Sequence, residues 1–242
     1  MSETVIIVGL GEVGKPLMEI IKPRHQTHGV DIGIPAPVTT CDVMHVCFPF
    51  HDDKFAGQVV TYIRQYNPLL TVINSTVSPG TTRRIAELSG TAVVNSPVRG
   101  KHIRMQQEML HYDKFIGAIN PEAGKRAVDH FQSVGIKTRL LTSPEASELA
   151  KLTETTYFGL LIAWAQEVER YCTQVGASYE EVIGFYEEIK FLPPVKYFPG
   201  VIGGHCVMPN IAILKQHFSS EMLDAIVHSN ELKQNGGRKP ED

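Results

Sequence analysis

One cysteine stands where a chain would place a working thiol, in a glycine-rich segment near the carboxyl end. Residues 199–206 read Pro-Gly-Val-Ile-Gly-Gly-His-Cys and end at Cys206. Adjacent glycines let the backbone approach a ligand closely, and a thiol in an irregular turn has the partial exposure that a working cysteine needs. The pattern favours a nucleophilic Cys206. His205, directly before it, is a candidate either to assist the thiol or to bind a substrate.

A second chemical pattern, Gly-Leu-Gly-Glu-Val-Gly, occupies residues 9–14, after an apolar run and before a helical pattern. In this context Gly9 permits a tight turn, Gly11 lets the backbone reach a pyrophosphate, and Gly14 lets helix and strand pack closely. The start of the helix offers unpaired N–H groups to phosphates. Asp31, twenty residues after Gly11, would accept hydrogen bonds from the ribose hydroxyls of NAD and repel the 2′-phosphate of NADP. These residues predict an NAD site.

Strands and helices that could position this site alternate through residues 1–142. The predicted strands cover 4–8, 27–31, 43–48, 70–74, 92–95, 115–118 and 137–141, and the predicted helices cover 15–21, 54–66, 79–88 and 121–134. Alternation of this kind indicates a mostly parallel sheet with helices on both faces. We expect an α/β fold whose first part, residues 1–142, is a Rossmann-type NAD-binding domain. The Pro-rich segment 32–40 leaves no room for the usual crossover helix.

The pattern becomes wholly helical near residue 143. Ser143 is a candidate cap for one long linking helix that extends to about Gly176, and further helices are predicted at 178–190 and 209–232. We therefore predict that residues 143–232 form an all-helical domain for substrate binding and dimerisation. Trp164 and its apolar neighbours on the long helix need cover, for which a second copy of the chain is the natural source. The polar residues 233–242 predict a disordered tail.

Composition narrows the class of function. The chain has 242 residues, a net charge of −3 and 43% hydrophobic residues. It has no basic footprint for nucleic acid, no apolar run that could span a membrane and no secretory signal. Its four cysteines form no CxxC pair, so we expect neither a metal site nor disulfides, and we expect a cytoplasmic location. His45, inside an apolar strand, is interpreted as a core residue rather than a ligand.

Four segments in the same order resemble the UDP-glucose/GDP-mannose dehydrogenase family. They are residues 9–14, the Asn-Ser-Thr-Val-Ser-Pro-Gly-Thr-Thr run at 74–82, the start of the long helix at 148–157, and the Cys206 segment at 199–206. The resemblance covers nearly the whole chain but only about the first half to two-thirds of a family member, and we expect the family's C-terminal sugar-nucleotide domain to be absent. The resemblance implies that the cofactor contacts are Gly9, Leu10, Gly11, Glu12, Val13, Gly14, Asp31, Phe48, Pro49, Phe50, Ser75 and Thr76.

The resemblance also implies a reaction. Members of that family oxidise a sugar 6-hydroxyl to a carboxylate with NAD. By position, Lys151 would stabilise the substrate oxygen, and Cys206 would trap the aldehyde as a thiohemiacetal that becomes a thioester. Three positions depart from the family: Thr155 replaces an asparagine, Val98 an acid, and Asn210 an aspartate. Three departures in one site predict altered chemistry, in which Thr155 remains a weaker hydrogen-bonding residue.

Residues 95–100 also resemble the substrate loop of the related β-hydroxyacid dehydrogenases. These enzymes share the plan of a Rossmann domain and a helical domain, need no cysteine, and carry out a single oxidation. Arg99, Lys101, His102 and Arg104 form a basic cluster after the fifth predicted strand, where open α/β sheets bind ligands, so we expect an anionic small-molecule substrate. The predicted substrate contacts are Arg99, Lys101, His205 and Asn210.

Three functions fit these residues. The leading one is an NAD-dependent dehydrogenase that oxidises an alcohol on a sugar nucleotide or another anionic polyol, with Lys151 polarising the oxygen and Cys206 as the covalent nucleophile. The second is a β-hydroxyacid-type single oxidation without thiol catalysis. The third is a catalytically inactive NAD-binding regulator or scaffold, which the departures at positions 98, 155 and 210 motivate. The residues leave the substrate and the number of electrons removed open.

Overall fold

A computed structural model describes residues 2–100, 102–186, 189 and 198–236. The chain divides into two compact units, Met1–Lys151 and Leu152–Asp242. The first holds a sheet with helices on both faces, and the elements within the second are helical. The functions assigned to the two parts of the chain, cofactor binding and dimerisation with substrate binding, remain predictions.

The first unit is built on a seven-stranded sheet with the order β2-β1-β3-β4-β5-β6-β7. The strands are β1 Thr4–Val8, β2 Gln26–Val30, β3 Val43–Val46, β4 Leu70–Ile73, β5 Val93–Asn95, β6 Lys114–Ala118 and β7 Thr138–Leu141. Strands β1 to β5 are parallel, β6 is antiparallel to β5, and β7 is parallel to β6. The predicted α/β fold with a mostly parallel sheet is confirmed.

Helices cover both faces of this sheet, as the apolar strands require. They are α1 Gly14–Ile21, α2 Lys54–Tyr66, α3 Thr81–Ser89, α4 Met105–His111 and α5 Pro121–Ser133. Leu17, Met105 and Phe131 pack with the sheet in one apolar cluster, and Phe55, Ile63 and Ile85 pack in a second. No helix connects β2 to β3, as the Pro-rich segment predicts, and residues 31–42 make this connection.

Helix α4 was not predicted from the sequence. We predicted a basic cluster within Arg99 to Arg104 and assigned no element to the residues that follow it. The structure places a 3₁₀ turn at His102–Arg104 and then α4, which buries Met105 and Met109 against the sheet. Two apolar residues four positions apart were the signal for this helix face.

Four helices occupy the rest of the described chain, and the first agrees with the predicted long helix. The predicted helix at 178–190 reaches residues 187, 188 and 190, which lie outside the described residues. The long helix α6 spans Pro144–Val175, and α7 Tyr179–Gly184, α8 Val207–Lys215 and α9 Glu221–Asn235 follow. The predicted helix at 209–232 is wrong, because the chain breaks between α8 and α9 and the Ser220 hydroxyl caps α9 by accepting from the Leu223 N–H. Helix α9 extends to Asn235, three residues into the predicted tail, and residues 237–242 lie outside the described residues.

No helix within the described ranges is both long enough and apolar enough to cross a membrane.

Candidate functional site

The three glycines of residues 9–14 differ in the space that surrounds them. Gly9 has φ +92°, and a Cβ there would lie 2.8 Å from the Phe48 nitrogen. A Cβ on Gly14 would lie 1.8 Å from the Gly9 oxygen, so only glycine lets α1 begin so close to β1. A Cβ on Gly11 would meet nothing within 4 Å. The fold therefore requires Gly9 and Gly14, whereas Gly11 leaves open space beside the turn.

Asp31 joins the end of β2 to this turn. Its carboxylate accepts hydrogen bonds from the Leu10 N–H at 3.2 Å and from the Ile32 N–H at 2.8 Å. Each carboxylate oxygen keeps acceptor capacity beyond these bonds. The side chain of Leu10 packs on Gly29 in β2, where a Cβ would lie 2.8 Å from it. Glu12 is exposed and Val13 packs on the core beside α1.

The other predicted cofactor residues lie after β3 and β4. The Ser75 hydroxyl donates to the Phe48 carbonyl at 2.6 Å, so the two loops are tied together. The rings of Phe48 and Phe50 pack on Phe55 in α2, at centroid distances of 5.0 and 5.5 Å. Residues 9–14, 31, 48–50 and 75–76 therefore converge at the carboxyl ends of β1, β3 and β4, where the strand order reverses. Open α/β sheets bind nucleotides at such a point.

These residues fit a dinucleotide. The open space at Gly11, the start of α1 and the carboxylate of Asp31 are the three features that a pyrophosphate and a ribose require. No step of a reaction follows from this fit alone, but it makes the first unit a candidate nucleotide-binding domain.

The first turns of α6 pack on the same edge of the sheet. The Ser147 hydroxyl donates to Asn95 Oδ1 at 2.6 Å, and a Cβ on Gly117 would lie 2.3 Å from the Ser147 oxygen. Glu148 accepts hydrogen bonds from the backbone at the start of α3. These contacts explain why the first unit extends to Lys151 rather than ending at residue 142. They also set the backbone of Lys151, one turn beyond Glu148.

Sequence reasoning missed a buried lysine near this edge. Lys114 opens β6 and is 5% exposed, and its Nζ donates to the Ser96 carbonyl at 2.6 Å. Burial lowers the pKa of Lys114 to about 7, against the effect of Cys47 and with a further lowering by the charge of Lys151. The charge of Lys151 is therefore felt at the carboxyl end of β5. A charged residue at the head of an apolar strand was the only sequence signal for Lys114.

Two described members of the basic cluster, Arg99 and Arg104, have different partners. The Arg99 guanidinium lies over the rings of Tyr112 and Phe115, at 5.3 and 5.4 Å from their centroids. Arg104 pairs with Glu108 on α4 at 3.0 Å. Lys101 lies outside the described residues. Arg99 as a substrate contact stays a prediction, and its stacking shows that the side chain already has aromatic partners.

The second unit holds the predicted nucleophile. Cys206 is partly exposed at the start of α8, after Gly204 with φ +78°, and its carbonyl accepts from the Asn210 N–H at 3.2 Å. His205 is exposed, whereas Asn210 is buried and its Nδ2 donates to Thr155 Oγ1 at 2.8 Å. Two of the three positions that depart from the family pattern are therefore bonded to each other, one turn after Cys206.

The glycine-rich loop before Cys206 is anchored by polar residues that the sequence did not single out. Asn230 in α9 accepts from the Ile202 N–H at 2.7 Å and donates to the Ile202 carbonyl at 3.2 Å. Gln166 in α6 donates to the Gly200 carbonyl at 2.7 Å. A loop bonded in this way holds its backbone in place in spite of its glycines.

A cluster of histidines crosses one face of the sheet. His130 is bonded to Glu3 Oε2 at 2.5 Å through Nδ1 and to His45 Nε2 at 2.9 Å through Nε2, so His45 is a core residue as predicted. Glu3, His25 and His130 have the composition of a metal site. His25 Nδ1, however, accepts a hydrogen bond from the Glu3 N–H at 3.0 Å. The Ser133 hydroxyl lies 2.7 Å from His25 Nε2, and because it donates its proton to the His130 carbonyl, it accepts from His25. His25 Nε2 therefore carries a proton and has no lone pair for a metal.

Comparison with known proteins shows what part of this arrangement is similar to. Residues 145–235 match the model of the UDP-glucose/GDP-mannose dehydrogenase family, central domain. A UDP-N-acetyl-D-mannosamine dehydrogenase of Methanocaldococcus jannaschii is 27% identical over 180 residues, which are 73% of this chain and 42% of that protein. The chain thus spans less than half the length of this curated relative.

Solved structures support the fold. The UDP-D-ManNAc dehydrogenase of Pyrococcus horikoshii superposes with a TM-score of 0.80 and 19% identity, over 96% of this chain and 69% of that one. A 3-hydroxyisobutyrate dehydrogenase of Mycobacterium tuberculosis superposes with a TM-score of 0.71 and 15% identity, over 98% of this chain and 94% of that chain. Both of the plans that the sequence resembles are therefore found among its structural neighbours.

Proposed function

We propose that the protein is an NAD-dependent dehydrogenase that oxidises an alcohol on a sugar nucleotide or another anionic polyol. The observation that carries the proposal is the convergence of the glycine turn, Asp31 and Ser75 at the switch point of the sheet. Its support is the naming of the curated relatives as sugar-nucleotide dehydrogenases.

Residues of the first unit would hold NAD. The N–H groups at the start of α1 would bind the pyrophosphate beside Gly11, and Asp31 would accept from the ribose hydroxyls. The hydrogen bond from the Leu10 N–H holds the Asp31 carboxylate at the glycine turn. The negative charge of this carboxylate would repel the 2′-phosphate of NADP. When bound, NAD supplies the hydride acceptor. The preference for NAD over NADP rests on the charge of Asp31.

Lys151 would stabilise the substrate oxygen. Its ammonium lowers the pKa of Lys114, which lies beside the Ser96 carbonyl, so its charge acts near the carboxyl end of β5. A fixed cation there stabilises the negative charge that develops on oxygen when a hydroxyl loses its proton. The packing of the first turns of α6 holds the lysine backbone rigidly for this purpose.

Cys206 would be the covalent nucleophile. Its sulfur would add to an aldehyde carbon to give a thiohemiacetal. Oxidation of that adduct, with a second NAD as the hydride acceptor, would give a thioester, which water would hydrolyse to the acid and the free thiol. Partial exposure and an anchored loop suit this role. Thr155 and Asn210, which lies one helical turn after Cys206, would orient the polar groups of the substrate. His205 and Arg99 would contact the substrate.

A single oxidation without the thiol is the second candidate. It is favoured by the bond between Asn210 and Thr155, because both residues are neutral and neither offers a carboxylate to activate water for thioester hydrolysis. The structural likeness to a 3-hydroxyisobutyrate dehydrogenase, which covers 94% of that chain, points the same way.

A homodimer through α6 is the proposed assembly. Tyr157, Trp164 and Tyr171 recur every seven residues on this helix, and each is about half exposed, at 52%, 50% and 48%. Apolar stripes of this kind are normally covered by a partner. Sedimentation of the purified chain tests the state, with Trp164→Glu expected to give monomers.

The decisive experiment measures NADH formation from a panel of UDP-sugars, GDP-sugars and β-hydroxyacids. We expect activity with a sugar nucleotide, and we expect Lys151→Ala to lower kcat about a hundredfold or more. Lys125→Ala, an exposed lysine that pairs with Asp129 on α5, is the matched control and should leave kcat unchanged. NADH binding without turnover of any substrate would overturn the dehydrogenase and leave the inactive NAD-binding protein.

Product analysis separates the two oxidations. If Cys206 acts covalently, Cys206→Ala should release an aldehyde and halve the NADH formed per substrate, whereas Cys172→Ala, at a buried cysteine of α6, should not. An unchanged product after loss of Cys206 selects the single oxidation.

A further inference from the structure

The carboxylate of Glu148 binds the start of another helix from deep inside the first unit. The residue is 1% exposed. Its Oε2 accepts from the Gly80 N–H at 2.7 Å and its Oε1 from the Thr82 N–H at 2.9 Å. Gly80 is the residue before α3 and has no side chain to cap the helix. Glu148, from 68 positions further along the chain, therefore supplies the missing cap.

The contact links two segments to which different tasks are assigned above. The chain reaches Gly80 only five residues after Ser75, through Val77 and Ser78, which are both buried. Lys151 lies three residues after Glu148, less than one helical turn. A change in the bond between Glu148 and Gly80 would therefore alter the spacing between the lysine and the segment of Ser75 and Thr76.

We propose that Glu148 is a positioning residue of the dehydrogenase site, whose ionised carboxylate holds the start of α6, and with it Lys151, against the loop that carries Ser75 and Thr76. The inference rests on the proposed function. Glu148 itself touches neither the predicted cofactor contacts nor Lys151 in any bond described above, and it acts through the backbone of α3 and α6.

The salt bridge between α6 and α3 cannot replace this contact. Arg83 and Glu145 join the same two helices through a bidentate pair at 2.6 and 3.1 Å, but both side chains are partly exposed. Exposed pairs of this kind contribute little to stability. A buried carboxylate that accepts two backbone N–H bonds is stronger and more directional, and removing its charge leaves buried donors unpaired.

The position of Glu148 gives the inference a pH signature. Burial raises the pKa of Glu148 to about 7, although the donors at Thr82 and Gly80 oppose this rise. The charged groups that face it are Glu145 on its own helix and Arg83 on α3. A protonated carboxyl is a weaker acceptor than a carboxylate, above all at its O–H oxygen, so protonation weakens the N–H bonds from Gly80 and Thr82. The link should therefore weaken as the pH falls below about 7.

The test compares Glu148→Gln with Glu145→Gln by amide NMR and by kinetics. In the wild type, the amide protons of Gly80 and Thr82 should shift with a midpoint near pH 7, and kcat should rise through the same pH. In Glu148→Gln both midpoints should be lost, and kcat at pH 8 should fall about tenfold to a hundredfold with little change in the dissociation constant of NADH. Glu145→Gln should behave like the wild type.

The outcomes separate the inference from the proposed function. Equal kcat and equal pH profiles in the wild type and Glu148→Gln, in an active enzyme, would overturn the inference alone. A fall in kcat that matches the fraction of unfolded protein would also overturn it, because the role would then be structural. A wild type that binds NADH but turns over no substrate would overturn the proposed function, and with it the catalytic half of the inference, whatever the amide shifts show.

Discussion

The side-chain amide of Asn210 donates a hydrogen bond to the hydroxyl of Thr155, with Nδ2 and Oγ1 2.8 Å apart. The Thr155 hydroxyl in turn donates to the Leu152 carbonyl at 3.0 Å, so its proton is already used and its lone pairs face the amide. An asparagine is the right partner for such a hydroxyl, because it brings a donor where an ionised aspartate would bring only acceptors. The two departures from the family pattern are therefore complementary.

This complementarity predicts an energetic coupling between the two residues. Thr155→Val and Asn210→Ala should each lower the free energy of unfolding, and their double-mutant cycle should give a coupling of about 1 kcal/mol. Thr173→Val is the matched control, since the hydroxyl of this exposed residue of α6 bonds to the Glu169 carbonyl. Urea denaturation measures all of these variants. Additive effects of Thr155→Val and Asn210→Ala would show that the contact stabilises nothing.

Alanine in place of Gly14 or of Gly11 should have different consequences. Gly14→Ala should prevent close packing of α1 on β1, because the new Cβ would lie 1.8 Å from the Gly9 oxygen. We expect a loss of several kcal/mol in the free energy of unfolding. Gly11→Ala should leave the thermal midpoint unchanged, since its Cβ meets nothing within 4 Å, but should block a pyrophosphate.

Two measurements check this prediction: thermal unfolding and NADH titration. Gly11→Ala should weaken NADH binding at least tenfold in a fully folded protein, as expected if its backbone approaches the phosphates. Gly33→Ala in the loop after β2 tests for nonspecific effects of alanine at an open position, although its φ of +75° adds some strain. Unchanged NADH affinity in Gly11→Ala would contradict the assigned cofactor position.

Much of the sheet unit could be predicted because its signals are local. Apolar runs bounded by Gly, Pro and Asn placed the strands, and the spacing of Gly9, Gly11 and Gly14 placed the nucleotide turn. The antiparallel direction of β6 could not be predicted, because the direction of a strand depends on the connection before it. That connection contains α4, whose two buried methionines stand among polar residues in the sequence. Likewise, the break before α9 depends on a cap at Ser220 rather than on periodicity.

The polar residues that arrange the candidate site were mostly invisible in the sequence. Glu148 resembles any charged residue on a helix until α3 is placed beside it, and Lys114 resembles an edge charge until the Ser96 carbonyl appears. Such contacts join residues far apart along the chain, so spacing and composition carry no trace of them. The residues that a family pattern names, such as Lys151 and Cys206, are those that a resemblance can find.

The buried lysine predicts how stability changes at alkaline pH. The pKa of Lys114 is lowered by burial to about 7 in the folded protein, whereas an unfolded chain would restore the ordinary value of 10.5. The unfolded state therefore binds more protons between these values, so the free energy of unfolding should rise with pH across this window. Lys114→Met should remove that contribution. Urea denaturation at pH 7, 8 and 9 measures it, with the exposed Lys125→Met as control, and equal slopes in both variants would refute the assignment.

The histidine cluster predicts the opposite limit, a loss of stability in acid. Burial lowers the pKa of His25 and lowers that of His45 well below 6.5, while the bond from His130 lowers the pKa of Glu3. Because the unfolded chain takes up these protons first, the free energy of unfolding should fall as the pH drops below 6.5, by about 1.4 kcal/mol per pH unit for each buried histidine. Glu3 adds to this loss below pH 4.5, where its unfolded carboxyl is protonated.

Variant slopes isolate the histidines from Glu148, whose raised pKa has the reverse effect. Glu148 favours the folded state at low pH and loses that contribution as the pH rises from 4.5 to about 7. The comparison is therefore made between His45→Gln and the exposed His111→Gln in the same pH series. His45→Gln should be less stable than the wild type at pH 8, because its bonds to His130 and Asn74 are lost. Between pH 6.5 and 5 its free energy of unfolding should nevertheless fall less steeply than that of the wild type, with a slope smaller by about 1.4 kcal/mol per pH unit. If His111→Gln flattens the curve equally, the buried cluster does not control acid unfolding.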